Sequence, residues 1–421
     1  MVPGSADGPE TRKSHRICPT RGPPSQKASN EHAMTWIECC IVLVATILAT
    51  VAFTPLAKRI AIRLDAIDYP DRRRVNTVPI PRMGGIAIFG GMVVGAIIIY
   101  GGVKLFGWDN PFFMLFGKSI NYVLLGVGII CMFAVGVIDD IVGMQAKAKF
   151  VGQMIASCIV AASGLLLTNI QNPFVPNAFI EFGWLAYPIT VLYLVAFANV
   201  INLIDGLDGL ASSISAISAA TIFVFSVLAG RYGAALVALV IVGTCVGFLK
   251  SNHHPASIFM GDSGSLLLGL MLGIVSLLAV ARSTLFISLL VPIVAAGVPI
   301  IDTAVAIVRR KRAHQPVTAP DTGHIHHRLL ASGYSQSATV LIMSLWTAAL
   351  AVCSIIMAES QGVVRVVVIV VIAAVTAVAI WKLHLLEPVL RHHYNPRRVI
   401  PRDQRQREEE RESRQFQDKK E

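Results

Sequence analysis

Charge is what this chain has least of. Only 14% of its 421 residues are Asp, Glu, Lys or Arg, against roughly 25% in soluble globular domains. A chain so composed cannot cover its own surface with polar groups, which excludes an ordinary soluble domain. Aromatic residues are scarce too, at 7%, so the apolar 54% is mainly aliphatic and lies in long runs. There are seven cysteines and no Cys-x-x-Cys. Six of them (Cys39, Cys40, Cys131, Cys158, Cys245 and Cys353) sit inside apolar runs. That pattern argues against a zinc or disulfide framework and for small core residues. The net charge of +11 would point to nucleic acid in a soluble protein. In a membrane protein the same excess marks cytoplasmic loops, so nucleic acid is not an expected partner and membrane lipid is.

What the chain has in quantity is spanning sequence. A transmembrane helix needs ~20 mostly apolar residues. Eleven segments qualify: 36–57, 83–103, 119–138, 150–169, 183–201, 209–230, 232–249, 263–281, 283–307, 337–358 and 363–381. Open strands cannot satisfy their backbone in lipid. The expected fold is therefore all-α, a polytopic integral membrane protein with about eleven transmembrane helices. Eleven spans place the termini on opposite sides. With the C-terminus cytoplasmic, 26 of the 36 Lys and Arg fall on inner segments and 10 outside. This predicts the N-terminus outside and the C-terminus inside. Residues 1–33 are polar and rich in Pro, Gly and Ser, and are expected to be a disordered tail, with Met34 a candidate start. Residues 34–385 form the membrane portion and 386–421 a charged cytoplasmic tail.

Charged groups at a membrane boundary are costly, and here they collect on the segments assigned to the inside. The first holds Asp68-Tyr69-Pro70, Arg72-Arg73-Arg74 and Pro79-Ile80-Pro81-Arg82-Met83-Gly84-Gly85. It is either a stop-transfer flank or a binder of anionic lipid or phosphate. The second opens on Asp139-Asp140, with Lys147 and Lys149 following. Adjacent carboxylates repel and call for a cation, either Mg²⁺ or a lysine. The third runs Asn199-Val-Ile-Asn202-Leu-Ile-Asp205-Gly206-Leu-Asp208-Gly209, with polar residues every third position and no Lys or Arg beside its carboxylates. The fourth contains Asn252-His253-His254-Pro255 and then Phe259-Met260-Gly261-Asp262-Ser263-Gly264-Ser265. A carboxylate between glycines at a helix start suits a metal–phosphate site. The fifth carries Arg309-Arg310-Lys311-Arg312 and His324-Ile325-His326-His327-Arg328. Adjacent histidines rarely share one tetrahedral zinc, so they are assigned to hydrogen bonding with phosphate or sugar. Carboxylates and amides suit a hard divalent cation shared with substrate phosphates, and Arg, Lys and His suit the phosphates themselves. The combination points to phosphoryl transfer to a lipid. A membrane transporter or ion channel is the rival, but transporters place such groups near the midplane, often between repeated halves. No repeat is visible here.

In order and spacing these motifs resemble the polyprenyl-phosphate N-acetylhexosamine-1-phosphate transferase family, a glycosyltransferase 4 family, over about residues 36–385. The resemblance rests on Asp68-x-Pro70 with Pro81-Arg82-x-Gly84-Gly85, on Asp139-Asp140, on the Asn199 to Gly209 segment, on Phe259 to Ser265, and on His324 to Arg328. It implies transfer of a sugar 1-phosphate from a UDP-sugar to undecaprenyl or another polyprenyl phosphate, with release of UMP. It further implies Mg²⁺ as cofactor, with Mn²⁺ the alternative, a bacterial plasma membrane with the site on its cytoplasmic face, and a homodimer as a partner state. The His-Ile-His-His form resembles the branch that uses UDP-N-acetylglucosamine for teichoic acid, O-antigen (lipopolysaccharide) or other wall glycans. UDP-N-acetylmuramoyl-pentapeptide or another UDP-N-acetylhexosamine is the alternative donor. By the same resemblance Asn202 and Asp262 are metal ligands. Asp139 is the base toward the polyprenyl phosphate with Asp140 in support, and a covalent phospho-aspartate is the other route. Arg82, Lys147, Lys149, Asn199, Asp205, Asp208, His324, His326, His327 and Arg328 fall to substrate binding. Asn76 and Ser257 stand where His and Lys are frequent in the family.

Overall fold

The computed structural model describes residues 35–70, 78–108, 120–171, 179–280, 293–294, 296–312, 323–360 and 362–383. The tails 1–33 and 386–421, Asn76, and residues 283–292 of the ninth expected span lie outside these. The described residues form α1 (Trp36–Arg63), α2 (Gly85–Gly101, continued by a wider π turn at Gly102–Phe106), α3 (Tyr122–Val142), α4 (Ala146–Ala162), α5 (Ala186–Ile204), α6 (Leu210–Leu228), α7 (Tyr232–Asn252) and α8 (Gly261–Val280). After these come α9 (Gly297–Arg312), the short α10 (Ile325–Ala331), α11 (Gln336–Glu359) and α12 (Gly362–Lys382). Two small antiparallel hairpins complete the order. One pairs β1 (Ile67–Asp68) with β2 (Ile80–Pro81), and the other pairs β3 (Asn169–Gln171) with β4 (Phe179–Glu181).

The chain is a multi-pass membrane protein. Among the described residues nine helices are long and apolar enough to cross a membrane: α1, α2, α3, α5, α6, α7, α8, α11 and α12. Two of the eleven expected spans are not among these nine. The run 150–169 becomes α4, only 17 residues long and opening with Lys147 and Lys149. The described part of the run 283–307 becomes α9, which has 16 residues and ends in four cations. The threonines buried along α1 are satisfied within their own helix. On α1, Thr46, Thr50 and Thr54 donate one turn back to the carbonyls of Val42, Thr46 and Thr50 at 2.8, 2.9 and 2.7 Å, which removes their cost in lipid. The six described cysteines are free.

The core is centred on α8, with 94% of its spanning window buried, against 78% for α7 and none for α12. Small residues let the neighbours come close, the usual means of helix association where lipid gives no hydrophobic drive. A Cβ added at Gly269 would lie 2.5 Å from the Ala198 Cα on α5. One added at Gly136 on α3 would lie 2.5 Å from the Asp262 carbonyl oxygen. Alternation of direction then brings the end of α3, the start of α4, the end of α5, the start of α6, the end of α7 and the start of α8 to one end of the bundle. The β1–β2 hairpin joins them there. Phe259 N–H donates to the Pro81 carbonyl, Gly84 N–H to the Phe259 carbonyl and Gly85 N–H to the Met260 carbonyl, each at 2.9 Å.

The contact between α3 and α8 can be tested with paired substitutions on one helix. Gly136→Ala forces the α8 backbone away and is expected to destabilise by about 1–3 kcal/mol. Gly126→Ala, where a Cβ meets open space, is expected to be neutral or mildly stabilising. Thermal unfolding midpoints in detergent check this, and equal midpoints would contradict the packing.

Candidate active site

The site is built around the first turn of α8. A helix start leaves backbone N–H groups without intrahelical acceptors. Here they find one in α3: the Asp140 carboxylate accepts from Asp262 N–H at 2.8 Å and from Ser263 N–H at 3.0 Å. Asp140 is 1% exposed, and it caps a helix other than its own. Gly261 must be glycine for two reasons. Its φ is +72°, and a Cβ there would lie 2.6 Å from the Asp140 oxygens. The sequence feature Gly-Asp-Ser-Gly is therefore the seat into which Asp140 docks.

Asp139, the adjacent residue, points elsewhere because successive helical side chains are about 100° apart. Its Oδ1 accepts from Met144 N–H at 2.6 Å, and its Oδ2 lies 2.9 Å from Lys149 Nζ. Lys149 stands at the centre of the cluster, with Asp262 Oδ1 at 2.8 Å and Asn202 Oδ1 at 3.1 Å. The Asn202 amide nitrogen in turn donates to Asp262 Oδ1 and, at 2.8 Å, to Ser265 Oγ. Three oxygens from α3, α5 and α8 thus converge on one cation. Among the described residues no three His, Cys, Asp or Glu side chains form a metal cluster. Two carboxylates and an amide do converge, and hard oxygen donors of that number suit Mg²⁺, which normally completes its shell with water and phosphate. Among the described residues Lys149 sets one positive charge against the two carboxylates of Asp139 and Asp262. The partly buried Asp205 registers the excess. Its carboxyl is held well above the usual carboxylate range by burial and by the negative charges of Asp262, Asp140 and Asp208.

The remaining expected residues divide into three groups. Asp208 accepts from Ala256 N–H at 3.1 Å and pairs with His254 Nδ1 at 2.8 Å, so it holds the loop after α7. Asn199 donates to Gln153 Oε1 at 2.6 Å and to the Val195 carbonyl at 2.8 Å. That engagement joins α5 to α4. Lys147 is exposed on α4, and no contact places it in the cluster. Arg82 lies beside Phe259 through a backbone bridge, which puts it next to the α8 seat. Ser257 bonds back to the Ser251 carbonyl at 2.9 Å through its N–H.

The histidine segment reaches the same end from α10. His324 and His326 rings are parallel with centroids 5.8 Å apart, and His327 lies 4.2 Å from His326. A Cβ on Gly206 would meet His326 Nε2 at 2.7 Å, so the fifth inner segment touches the third. Burial, with His327 and His324 beside it, holds the His326 imidazole well below its ordinary value. Arg328 donates to the Gly323 carbonyl at 3.1 Å and to the Leu383 carbonyl at 3.3 Å.

Two residues with no role in the sequence argument organise this end. Asn252 accepts from Gly209 N–H at 3.2 Å and Ser212 Oγ at 3.1 Å and donates to the Ile258 carbonyl at 3.0 Å, tying α6, α7 and the approach to α8. Asp302 on α9 accepts from His324 and from Ile325 N–H, each at 2.9 Å. The signals were present in the sequence, as an Asn heading the fourth inner segment and an Asp near the end of the ninth apolar run.

Comparison with known proteins adds relatives to this geometry. A family model described as Glycosyl transferase family 4 matches residues 122–280. The chain is 37% identical to the probable undecaprenyl-phosphate N-acetylglucosaminyl 1-phosphate transferase of Bacillus subtilis over 73% of its own length and 82% of that protein. It is 34% identical to the decaprenyl-phosphate N-acetylglucosaminephosphotransferase of Mycolicibacterium smegmatis over 75% and 80% of the two chains. Identity with the phospho-N-acetylmuramoyl-pentapeptide-transferase of Desulforamulus reducens is 27%, over 74% and 91%.

The two adjacent carboxylates should separate experimentally. Asp140→Ala removes both acceptors of the α8 start and is expected to cost about 1–3 kcal/mol of stability. Asp140→Asn, which keeps one acceptor oxygen, should cost less. Thermal unfolding in detergent measures both, and an unshifted midpoint for Asp140→Ala would remove the capping role.

Proposed function

The chain belongs to glycosyl transferase family 4, and from that premise we propose that it transfers N-acetylglucosamine 1-phosphate from UDP-N-acetylglucosamine to a polyprenyl phosphate, undecaprenyl phosphate foremost, releasing UMP. The observation that carries this is the convergence of Asp139, Asn202 and Asp262 on Lys149. Two of the relatives at 34–37% identity are named for N-acetylglucosamine, and the relative named for the muramoyl-pentapeptide is at 27%. That order supports the N-acetylglucosamine donor.

The reaction brings two anions together, the acceptor phosphate and the diphosphate of the donor. Its barrier is largely one of charge, and positioning with electrostatic stabilisation does most of the work. Asp262 and Asn202 would hold the Mg²⁺ through their side-chain oxygens. A bound Mg²⁺ would neutralise the diphosphate and stabilise UMP as it leaves. Lys149 offsets the Asp139 and Asp262 charges and offers its ammonium to a phosphate oxygen. Asp139 orients the polyprenyl phosphate and takes its proton where one is present. Asp140 acts through α8, holding Asp262 in place. His324, His326, His327 and Arg328 bind the donor, and Asp205 and Asp208 shape the loop beneath it. The Lys and Arg distribution supports a site on the cytoplasmic face of the bacterial plasma membrane. A set of polar groups at one end of the bundle is poorly suited to a transport path, which needs them near the midplane.

The test uses membranes containing wild type, Asp139→Asn or Asp262→Asn, supplied with undecaprenyl phosphate and radiolabelled UDP-N-acetylglucosamine or UDP-N-acetylmuramoyl-pentapeptide. Label is expected in the lipid phase from the first donor and wild type only, with UMP released. Chelation should abolish it and Mg²⁺ restore it. Each variant is expected to lose about a hundred- to a thousandfold in rate, the scale for removing a group that stabilises transition-state charge. Full turnover by a folded Asp262→Asn protein would sink the metal-ligand assignment, and label from the second donor alone would reassign the substrate.

A further inference from the structure

We propose that Asp302 is a positioning residue of this site: it fixes which nitrogen of His324 carries the proton, and so which group His324 presents to the sugar nucleotide. The proposal rests on the donor-binding role given to His324 above.

Asp302 is 3% exposed and His324 6%. The Asp302 carboxylate divides its two oxygens. Oδ1 accepts from Ile325 N–H at 2.9 Å, capping the start of α10, and Oδ2 lies 2.9 Å from His324 Nδ1. An ionised carboxylate has no proton to give, so Nδ1 must be the protonated nitrogen. Nε2, on the far side of the ring from Asp302, is then the atom left for the ligand, and its character is set by the Nδ1 bond. The rest of the segment is gripped from the same helix. Arg309 lies seven residues on from Asp302, on the same face of α9. Its guanidinium packs so close to Gly323 that a Cβ there would lie 2.5 Å from Cζ. Gly323 also receives the Arg328 Nε hydrogen bond on its carbonyl. The backbone before His324, the His324 ring and the N–H after it are therefore all held.

The other histidine–carboxylate pair shows the contrast. His254 bonds Asp208 through the same nitrogen, but its side chain is 44% exposed, so water competes for both ring atoms. Around His324 no such competition fixes the ring; Asp302 does.

Asparagine at 302 gives a discriminating substitution. Ile325 N–H still needs an acceptor, which commits the Asn Oδ1 to it. The Asn NH₂ is then left facing His324 Nδ1, a donor where the wild type has an acceptor. The ring must answer by moving its proton to Nε2. The α10 cap is kept while the tautomer is inverted, which a purely structural role would not register.

The experiment pairs NMR with kinetics on the full-length protein in detergent. Its 11 histidines are labelled with ¹⁵N, and His324→Gln identifies the His324 signals. Wild type is expected to show a protonated Nδ1 and Asp302→Asn a protonated Nε2, with the unfolding midpoint kept. The KM for UDP-N-acetylglucosamine should rise about tenfold in Asp302→Asn, the scale of one well-placed hydrogen bond. The KM for undecaprenyl phosphate should stay within about twofold, since only donor contacts are touched. In a His324→Gln background, Asp302→Asn should add no further rise. An Nε2-protonated ring in wild type overturns the proposal. So does an unchanged donor KM in Asp302→Asn, a lowered midpoint with the tautomer unmoved, or a further rise in the double variant. If wild type transfers nothing from any UDP-sugar, the functional proposal fails instead, and the tautomers of wild type and Asp302→Asn alone decide the role of Asp302.

Discussion

Two backbone N–H groups at the start of α8 take their acceptors from α3, and the rest of the site hangs on that junction. The burial of Asp140 against Gly261 ties the end of one spanning helix to the beginning of another. Asp262, whose own N–H is half of the junction, is held within reach of Lys149 and Asn202. Gly84 and Gly85 close the other side of the same turn through backbone hydrogen bonds to Phe259 and Met260. A side chain at Gly85 or Gly136 would occupy space already filled by the α8 backbone. The glycines are thus as much a part of the site as the carboxylates, because they set the distances between elements that carry charge.

Electrostatics then explains why the junction is fit for phosphate chemistry. Lys149 partners two carboxylates from different helices, and Asp205 lies in the same negative field with its carboxyl pushed upward. In the proposed reaction a divalent cation would add positive charge at the oxygens of Asp262 and Asn202, while the histidine–arginine segment approaches from α10. That segment is brought in by a separate helix, α9, whose Asp302 and Arg309 hold Gly323, His324 and Ile325. The histidine segment and the carboxylate cluster therefore sit on different supports, joined where His326 meets Gly206.

Much of this was legible in the order of residues. Lipid admits only helices as simple spans, so long aliphatic runs read directly as α1, α2, α3, α5 to α8, α11 and α12. Alternating direction then forces every second loop to one end, and the acids, amides and histidines stood on those loops. Asp139, Asn202 and Asp262 were named from their motifs and meet at Lys149. Other assignments could not be made that way. Asn199 shares its motif with Asn202, yet its amide faces Gln153 on α4. Lys147 is two residues from Lys149 and faces away, because two residues on a helix are nearly opposite.

What the sequence by itself determined was the solvent the chain lives in, the place of most helices along the chain, and the chemical inventory at their ends, since hydropathy and local charge need only nearest neighbours. What only the tertiary structure decided was which member of each pair does which task. Asp139 faces Lys149 while Asp140 caps α8, and Asn202 enters the cluster while Asn199 braces a helix. Asp302, 22 residues before His324, becomes its partner. Such assignments depend on the rotation of each helix about its axis and on contacts between segments far apart in the chain. Packing fixes both, and no local pattern of residues encodes them.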